Sequence, residues 1–342
     1  MSRAPKDGGA PELTVLLVYF LSRSTAVVPI TTMLLPLLLL SAPSAFLGDS
    51  DPFESEFLVC FHSFRHGSFS SSIIVASPDG SREVDLTPRS GSAKPMYLEP
   101  VFSPDEERIA YVAGGADGSH LTRVWVTDAT LENPVALPSQ ARRFSTDACM
   151  VPAWSPDGTR LAYTENRSGR FEIFVIGLDG AKGRNLTPGK GKQARPQWSP
   201  DGEHILFDSD RGGNWDIYVM KADGTEVVQL TDDPGEDVYA SYSPDGEHIL
   251  FTSDRDDVSQ LYVMTRDGQD VHRLSASPGR AWNASWSPDG NHIAFVSDRG
   301  GLGSIWVMTV DGAHERQLSS SEFRDDRPTW VSRRVLAAAE SR

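Results

Sequence analysis

Three histidines, His204, His248 and His292, stand 44 residues apart, and the pairs Asp210-Arg211, Asp254-Arg255 and Asp298-Arg299 share that spacing. Taken alone, the imidazoles suggest a zinc site and the acid–base pairs an anion clamp. The spacing argues against both. Equivalent positions in successive units of a closed ring are rotated away from one another, so imidazoles after a peripheral turn cannot meet within ~2 Å of one metal ion. The histidines therefore read as solvated turn residues. The aspartates read as acceptors of backbone hydrogen bonds in a turn, each paired with its neighbouring guanidinium. No G-x-S-x-G elbow, P-loop, H-E-x-x-H or EF-hand pattern is present, so no catalytic residue, metal ligand or cofactor is assigned. Cys60 and Cys149 are the only cysteines, too few for a disulfide framework or a thiolate zinc site, and both read as small core residues.

The elements that carry these residues follow from the same period. Trp154, Trp198, Tyr242, Trp286 and Trp330 are spaced by 44, and the first four open S-P-D-G turns that place Asp157, Asp201, Asp245 and Asp289 in register. Asp179, Asp223, Asp267 and Asp311 each precede a glycine, and Leu186, Leu230, Leu274 and Leu318 follow seven residues later. Within a unit, "HILFDSD" from His204 and "WDIYVM" from Trp215 are short apolar runs between turn signals, as strands should be. Pro200 presets φ, and Gly202 supplies the positive φ of a hairpin turn. Each unit is thus four antiparallel strands with no helix to cover them, and such sheets bury their faces against copies of themselves.

This predicts an all-β fold, a six-bladed β-propeller of four-stranded antiparallel blades. Full units begin near Pro100, Pro152, Pro196, Ala240 and Ala284, the first stretched after Ala113 and after Pro138. The sixth blade is composite: "FLVCF", "SIIVAS" and "REVDLT" lack a first strand, and the segment around Trp330 supplies it and closes the ring. Specificity belongs where the repeats differ at constant geometry. Three residues before each repeat aromatic, at the start of the innermost strand near the channel mouth, stand Glu99, Val151, Arg195, Tyr239, Asn283 and Arg327. A mixed set suits an asymmetric ligand such as a peptide or sugar, which makes Glu99, Arg195, Tyr239, Asn283 and Arg327 the candidate ligand-binding residues. Solvated pore lining accounts equally for them.

The stretch "WSPDGEHILFDSDRGGNWDIYVMKADGTEVVQLT", Trp198 to Thr231, resembles the repeat of the TolB-type six-bladed propellers, and the resemblance runs from about Phe57 to Ala339. It covers only the propeller half of those proteins, without their preceding α/β domain. It implies a cell-envelope protein that binds other proteins, and with no catalytic motif and a varied channel mouth the expectation is a secreted or cell-envelope non-enzymatic propeller that binds a protein partner through its channel face. Polysaccharide lyases or hydrolases on a similar propeller are the alternative, as are detached noncatalytic relatives of prolyl-oligopeptidase propellers.

Composition sets the remaining limits. With 32 Lys and Arg against 47 Asp and Glu, the formal charge of −15 disfavours nucleic acid as a partner. Residues 1–48 read as a signal peptide or membrane-proximal apolar leader: Arg3, Lys6 and Arg23 precede the apolar run Ala26 to Leu40, and small residues Ser41, Ala42, Ser44 and Ala45 follow. Removal is expected near Ser44 or Ala45, leaving residues 54–342 as a monomeric propeller in the periplasm or outside the cell. Any membrane contact would be made through an uncleaved leader.

Overall fold

Alternation fails in these strands because both faces of every sheet are buried. In the strand His204–Ser209, Ile205 and Phe207 enter one apolar cluster while Leu206 enters the next. The structure, a computed structural model, describes residues 51–65, 70–87, 97–114, 122–131, 133–138, 151–167, 170–179, 182–189, 191–275, 278–320 and 322–340. The expected leader, Cys149 and most of the extra length in the first unit lie outside the described residues.

Among the described residues the strands form six four-stranded antiparallel sheets arranged as a six-bladed propeller. Blade 1 comprises Leu98–Phe102, Arg108–Gly114, Thr122–Asp128 and Val135–Ala136, and blade 2 comprises Ala153–Trp154, Arg160–Arg167, Arg170–Gly177 and Arg184–Asn185. Blade 3 runs through Gln193–Trp198, His204–Ser209, Asp216–Lys221 and Val228–Gln229, and blade 4 through Asp237–Tyr242, His248–Ser253, Gln260–Thr265 and His272–Arg273. Blade 5 is Ala281–Trp286, His292–Ser297, Ser304–Thr309 and Glu315–Gln317. Blade 6 is the expected composite: Asp325–Ser332 pairs antiparallel with Phe57–Ser63, followed by Ser72–Ala76 and Glu83–Asp85. The first strands of consecutive blades touch all the way round, which places them innermost.

The core is six apolar slabs, one between each pair of neighbouring blades. Repeat aromatics belong to these seams. Trp154 and Trp330 also donate their indole N–H groups to the carbonyls of Val101 and Ser285 in the preceding blades, at 3.1 Å each. A short helix, Arg334–Glu340, follows the closing strand and buries Val335 and Leu336 in the slab between blades 6 and 1. No helix among the described residues is long and apolar enough to cross a membrane.

The S-P-D-G turns form as read. Gly202, at φ 72°, donates its N–H to the Ser199 carbonyl at 2.9 Å, while the Ser199 hydroxyl donates to Asp201 Oδ1 and accepts the His204 N–H. In blade 1 the sequence S-P-D-E makes the same turn with Glu106 at φ 59°, and the Glu106 carboxylate accepts from the backbone and hydroxyl of Ser332 on the closing strand. The departure from glycine at that turn thus ties blade 1 to the ring closure.

Candidate functional site

Each candidate residue sits on an irregularity of its innermost strand. In blade 3 the pairs Ala194–Asp208 and Gln197–Leu206 leave Arg195 and Pro196 together opposite Phe207, a two-against-one bulge. The same shift recurs in blades 1, 4, 5 and 6, each time opposite a buried phenylalanine or tyrosine. The first bulge residue is Glu99, Arg195, Tyr239, Asn283 or Arg327, with φ between 52° and 61° in every case (55°, 53°, 60°, 54° and 58°). That left-handed backbone costs a non-glycine residue about 1–3 kcal/mol unless its surroundings hold it. In return it turns the side chain out of the strand pleat.

The five side chains meet. Arg327 Nε donates to Glu99, its Nη1 donates to Asn283 Oδ1 at 3.0 Å, and its guanidinium lies 5.3 Å from the Tyr239 ring centroid. Arg195 stacks on that same ring at 4.1 Å and on Trp215 at 5.8 Å. Arg327 of blade 6 reaches Tyr239 of blade 4, a contact that skips blade 5. Val151, the sixth residue of the set, is buried, and the residues just before it, 139–150, lie outside the described residues.

A second layer supports the bulges. Their backbone N–H groups, drawn out of the strand ladder, need acceptors, and in three blades the neighbouring blade supplies them from its second strand. Asp208 accepts from Tyr239 N at 3.1 Å, Thr252 from Asn283 N at 3.2 Å, and His62 Nδ1 from Glu99 N at 3.4 Å. Where the equivalent residue is the apolar Val296, Arg327 N instead donates to its neighbour Asp326, at 2.8 Å. Asp326 also accepts from Asn283 Nδ2. Asp208 is fully buried and binds Arg195 Nη1 at 2.6 Å. Its complete burial pushes the carboxyl above the ordinary range, with Arg195 and the Tyr239 N–H pulling the other way. Sequence reasoning missed Asp208, Thr252, His62 and Asp326. The signal was present in three repeats, where Asp208, Thr252 and Val296 vary between a constant Phe and a constant Ser.

The acid–base pairs are partly as expected. Asp210, Asp254 and Asp298 accept the backbone N–H groups of Lys192, Glu236 and Arg280, pinning each inter-blade connection. Their neighbouring arginines, however, do not pair with them. Arg211, Arg255 and Arg299 each donate Nε to the serine two residues before and lie 4.1–5.5 Å from two aromatic rings of their own blade. These turns lie at the same end of the ring as the bulges, since Asp208 is two residues from Asp210.

The three histidines are corrected more sharply. They follow the opposite turns and occupy the place taken by Arg108 and Arg160 in blades 1 and 2, whose guanidiniums stack on Trp154 and Trp198 at 5.0 and 4.5 Å. His292 is buried, near Trp330 and Phe53, with Nε2 2.8 Å from the Pro52 carbonyl oxygen. His204 and His248 are half-buried and line an open groove of about 500 Å³ between blades 3 and 4, with Tyr242 and Arg266. His204 with Asp201 and Glu203 is the one metal-like group among the described residues, and Arg266 already pairs with its Asp201 carboxylate at 3.0 Å.

The family model of the TolB beta propeller domain matches residues 59–227 and 212–336. Over 85 residues the chain is 34% identical to the Tol-Pal system protein TolB of Methylococcus capsulatus, a match covering 25% of this chain and 19% of that one. Over 93 residues it is 30% identical to the uncharacterized peptidase YuxL of Bacillus subtilis, covering 26% and 13%. These matches span less than a fifth of either curated relative. Among solved structures, TolB from Acinetobacter baumannii superposes with a TM-score of 0.66 at 22% identity, over 80% of this chain and 66% of that one, a likeness of fold.

Proposed function

The chain belongs to the TolB beta propeller domain family, and from that premise we propose that it is a non-enzymatic cell-envelope protein that binds a protein partner at its channel mouth. The observation that supports this reading is the convergence of Glu99, Arg195, Tyr239, Asn283 and Arg327 from five blades into one connected cluster. Its chemistry is that of recognition: two planar guanidiniums on one phenol ring, an amide and a carboxylate, all held in place by hydrogen bonds. Around them the turns of the same end expose Val258 and Leu302, apolar area of the kind protein interfaces use. The leader expected over residues 1–48 would deliver the propeller to the periplasm or the exterior. The Tol-Pal system in the name of the Methylococcus relative fits the same setting.

The test is capture from an envelope extract with variants at the two ends of the ring. Arg327→Ala and Tyr239→Ala should each weaken capture of the identified partner by roughly 1–3 kcal/mol. His204→Ala and His248→Ala, at the far end, should leave it unchanged. The reverse pattern would place the binding face at the histidine groove. Arg195→Ala is less suitable because it leaves the buried Asp208 carboxylate uncompensated and endangers the fold itself.

A further inference from the structure

Of the side chains that hold the bulges, His62 alone is an imidazole. It is 4% exposed, lies on the second strand of blade 6, and packs edge-on against Phe64 at 5.5 Å. Nδ1 accepts the Glu99 N–H, so its lone pair is engaged and the single proton of the neutral ring sits on Nε2. Glu99 stands at φ 55° and relies on that bond, while its carboxylate accepts from Arg327 Nε. The charged groups facing the imidazole are Glu99 of blade 1 and Arg324, Asp326 and Arg327 at the closing strand.

We propose that His62 is a positioning residue that makes the Glu99–Arg327 side of the mouth respond to acidification. A proton taken from solvent onto Nδ1 replaces the lone pair by an N–H that faces the Glu99 N–H, and the inter-blade bond is lost. The imidazolium then competes with Arg327 for the Glu99 carboxylate, and the left-handed backbone at Glu99 loses its outside support. Burial holds the ring neutral to below the ordinary histidine range, reinforced by Arg327 and Arg324, with Glu99 and Asp326 opposing. The equivalent anchor in blade 4, Thr252, does not titrate and holds Asn283 in the same geometry. One mouth residue is therefore sensitive to acid and its structural counterpart is not. The functional consequence rests on the mouth being the binding site, whereas the switch itself does not.

Amide hydrogen exchange on the free protein tests the switch, with Asn283 as an internal reference that cancels the intrinsic pH dependence of exchange. Between about pH 7.5 and about pH 5, the protection of the Glu99 amide should fall about tenfold relative to that of Asn283. In His62→Thr, which places at this position the side chain found in blade 4, the ratio should stay constant. A constant ratio in the unaltered protein, or an equal fall in His62→Thr, overturns the proposal. Should that variant fail to fold, nitrogen chemical shifts of labelled histidine in the unaltered protein decide: the proton on Nε2 at neutral pH is required, and a proton on Nδ1 refutes it. Because no partner is present, a wrong assignment of the binding face would leave this result unaffected.

Discussion

Asp216, at the start of the third strand of blade 3, is 1% exposed, and its Oδ2 accepts from Gln229 at 3.0 Å. Burial, with the nearby Asp237 and Asp232 carboxylates, pushes its carboxyl up to about 6 from an ordinary 3.8. Between those values the folded chain holds the proton more tightly than the unfolded one, so this group's contribution to stability is present below the lower value and is lost as pH rises through the upper. Asp216→Asn keeps an acceptor for Gln229 without the charge. Its melting temperature should match that of the unaltered protein near pH 4 and exceed it at neutral pH, and an unchanged difference across that range would contradict the assignment. Asp208 differs from Asp216 because Arg195 compensates it. Two buried aspartates in one blade thus have opposite requirements, and only their partners distinguish them.

At the scale of single elements, the hairpin turn and the strand bulge divide the work. The turn is a local device: the Ser199 hydroxyl, buried with its residue, links the Asp201 carboxylate to the His204 N–H within six residues. Ser199→Ala should cost about 1–3 kcal/mol by stranding that N–H, read as a shift of the denaturant midpoint at unchanged m-value. The bulge is not local, since in blades 1, 4 and 5 its strained residue is held by a side chain from the preceding blade. The S-P-D-G pattern revealed the turn because proline, aspartate and glycine each answer a backbone need of that turn. Asn283 is of a type that tolerates a positive φ, but nothing in Glu99 or Tyr239 announces one, because there the neighbouring sheet, and not the residue type, makes that conformation tolerable.

For the whole molecule, the closing strand joins architecture to site. Asp325–Ser332 supplies the inner edge of blade 6, covers Leu58 and Val59, and carries both Asp326 and Arg327 into the mouth. A chain ending after Phe323 leaves the edge of Phe57–Ser63 unpaired and the slabs on both sides open. It should lose cooperative thermal unfolding, and a single sharp transition at the original temperature would show that closure is dispensable. The same truncation removes the arginine that bridges Glu99, Asn283 and Tyr239, so the proposed binding site and ring closure depend on one strand.

What the sequence determined by itself was whatever repeats. The 44-residue period, the turn residues and the apolar runs fixed the strands, the blade count and the composite closure, since each is a local preference copied several times. The five varying positions near the mouth were legible as well, because a constant register makes differences visible. Only the tertiary structure decided which of them touch, that Arg195 is bound to a buried aspartate, and that the repeated histidines belong to the seams between blades. Those facts depend on neighbours far apart in the chain, such as Arg327 with Glu99 or His62 with Glu99, brought together by the closing of the ring. A one-dimensional period carries no record of which side chains face one another in the closed ring.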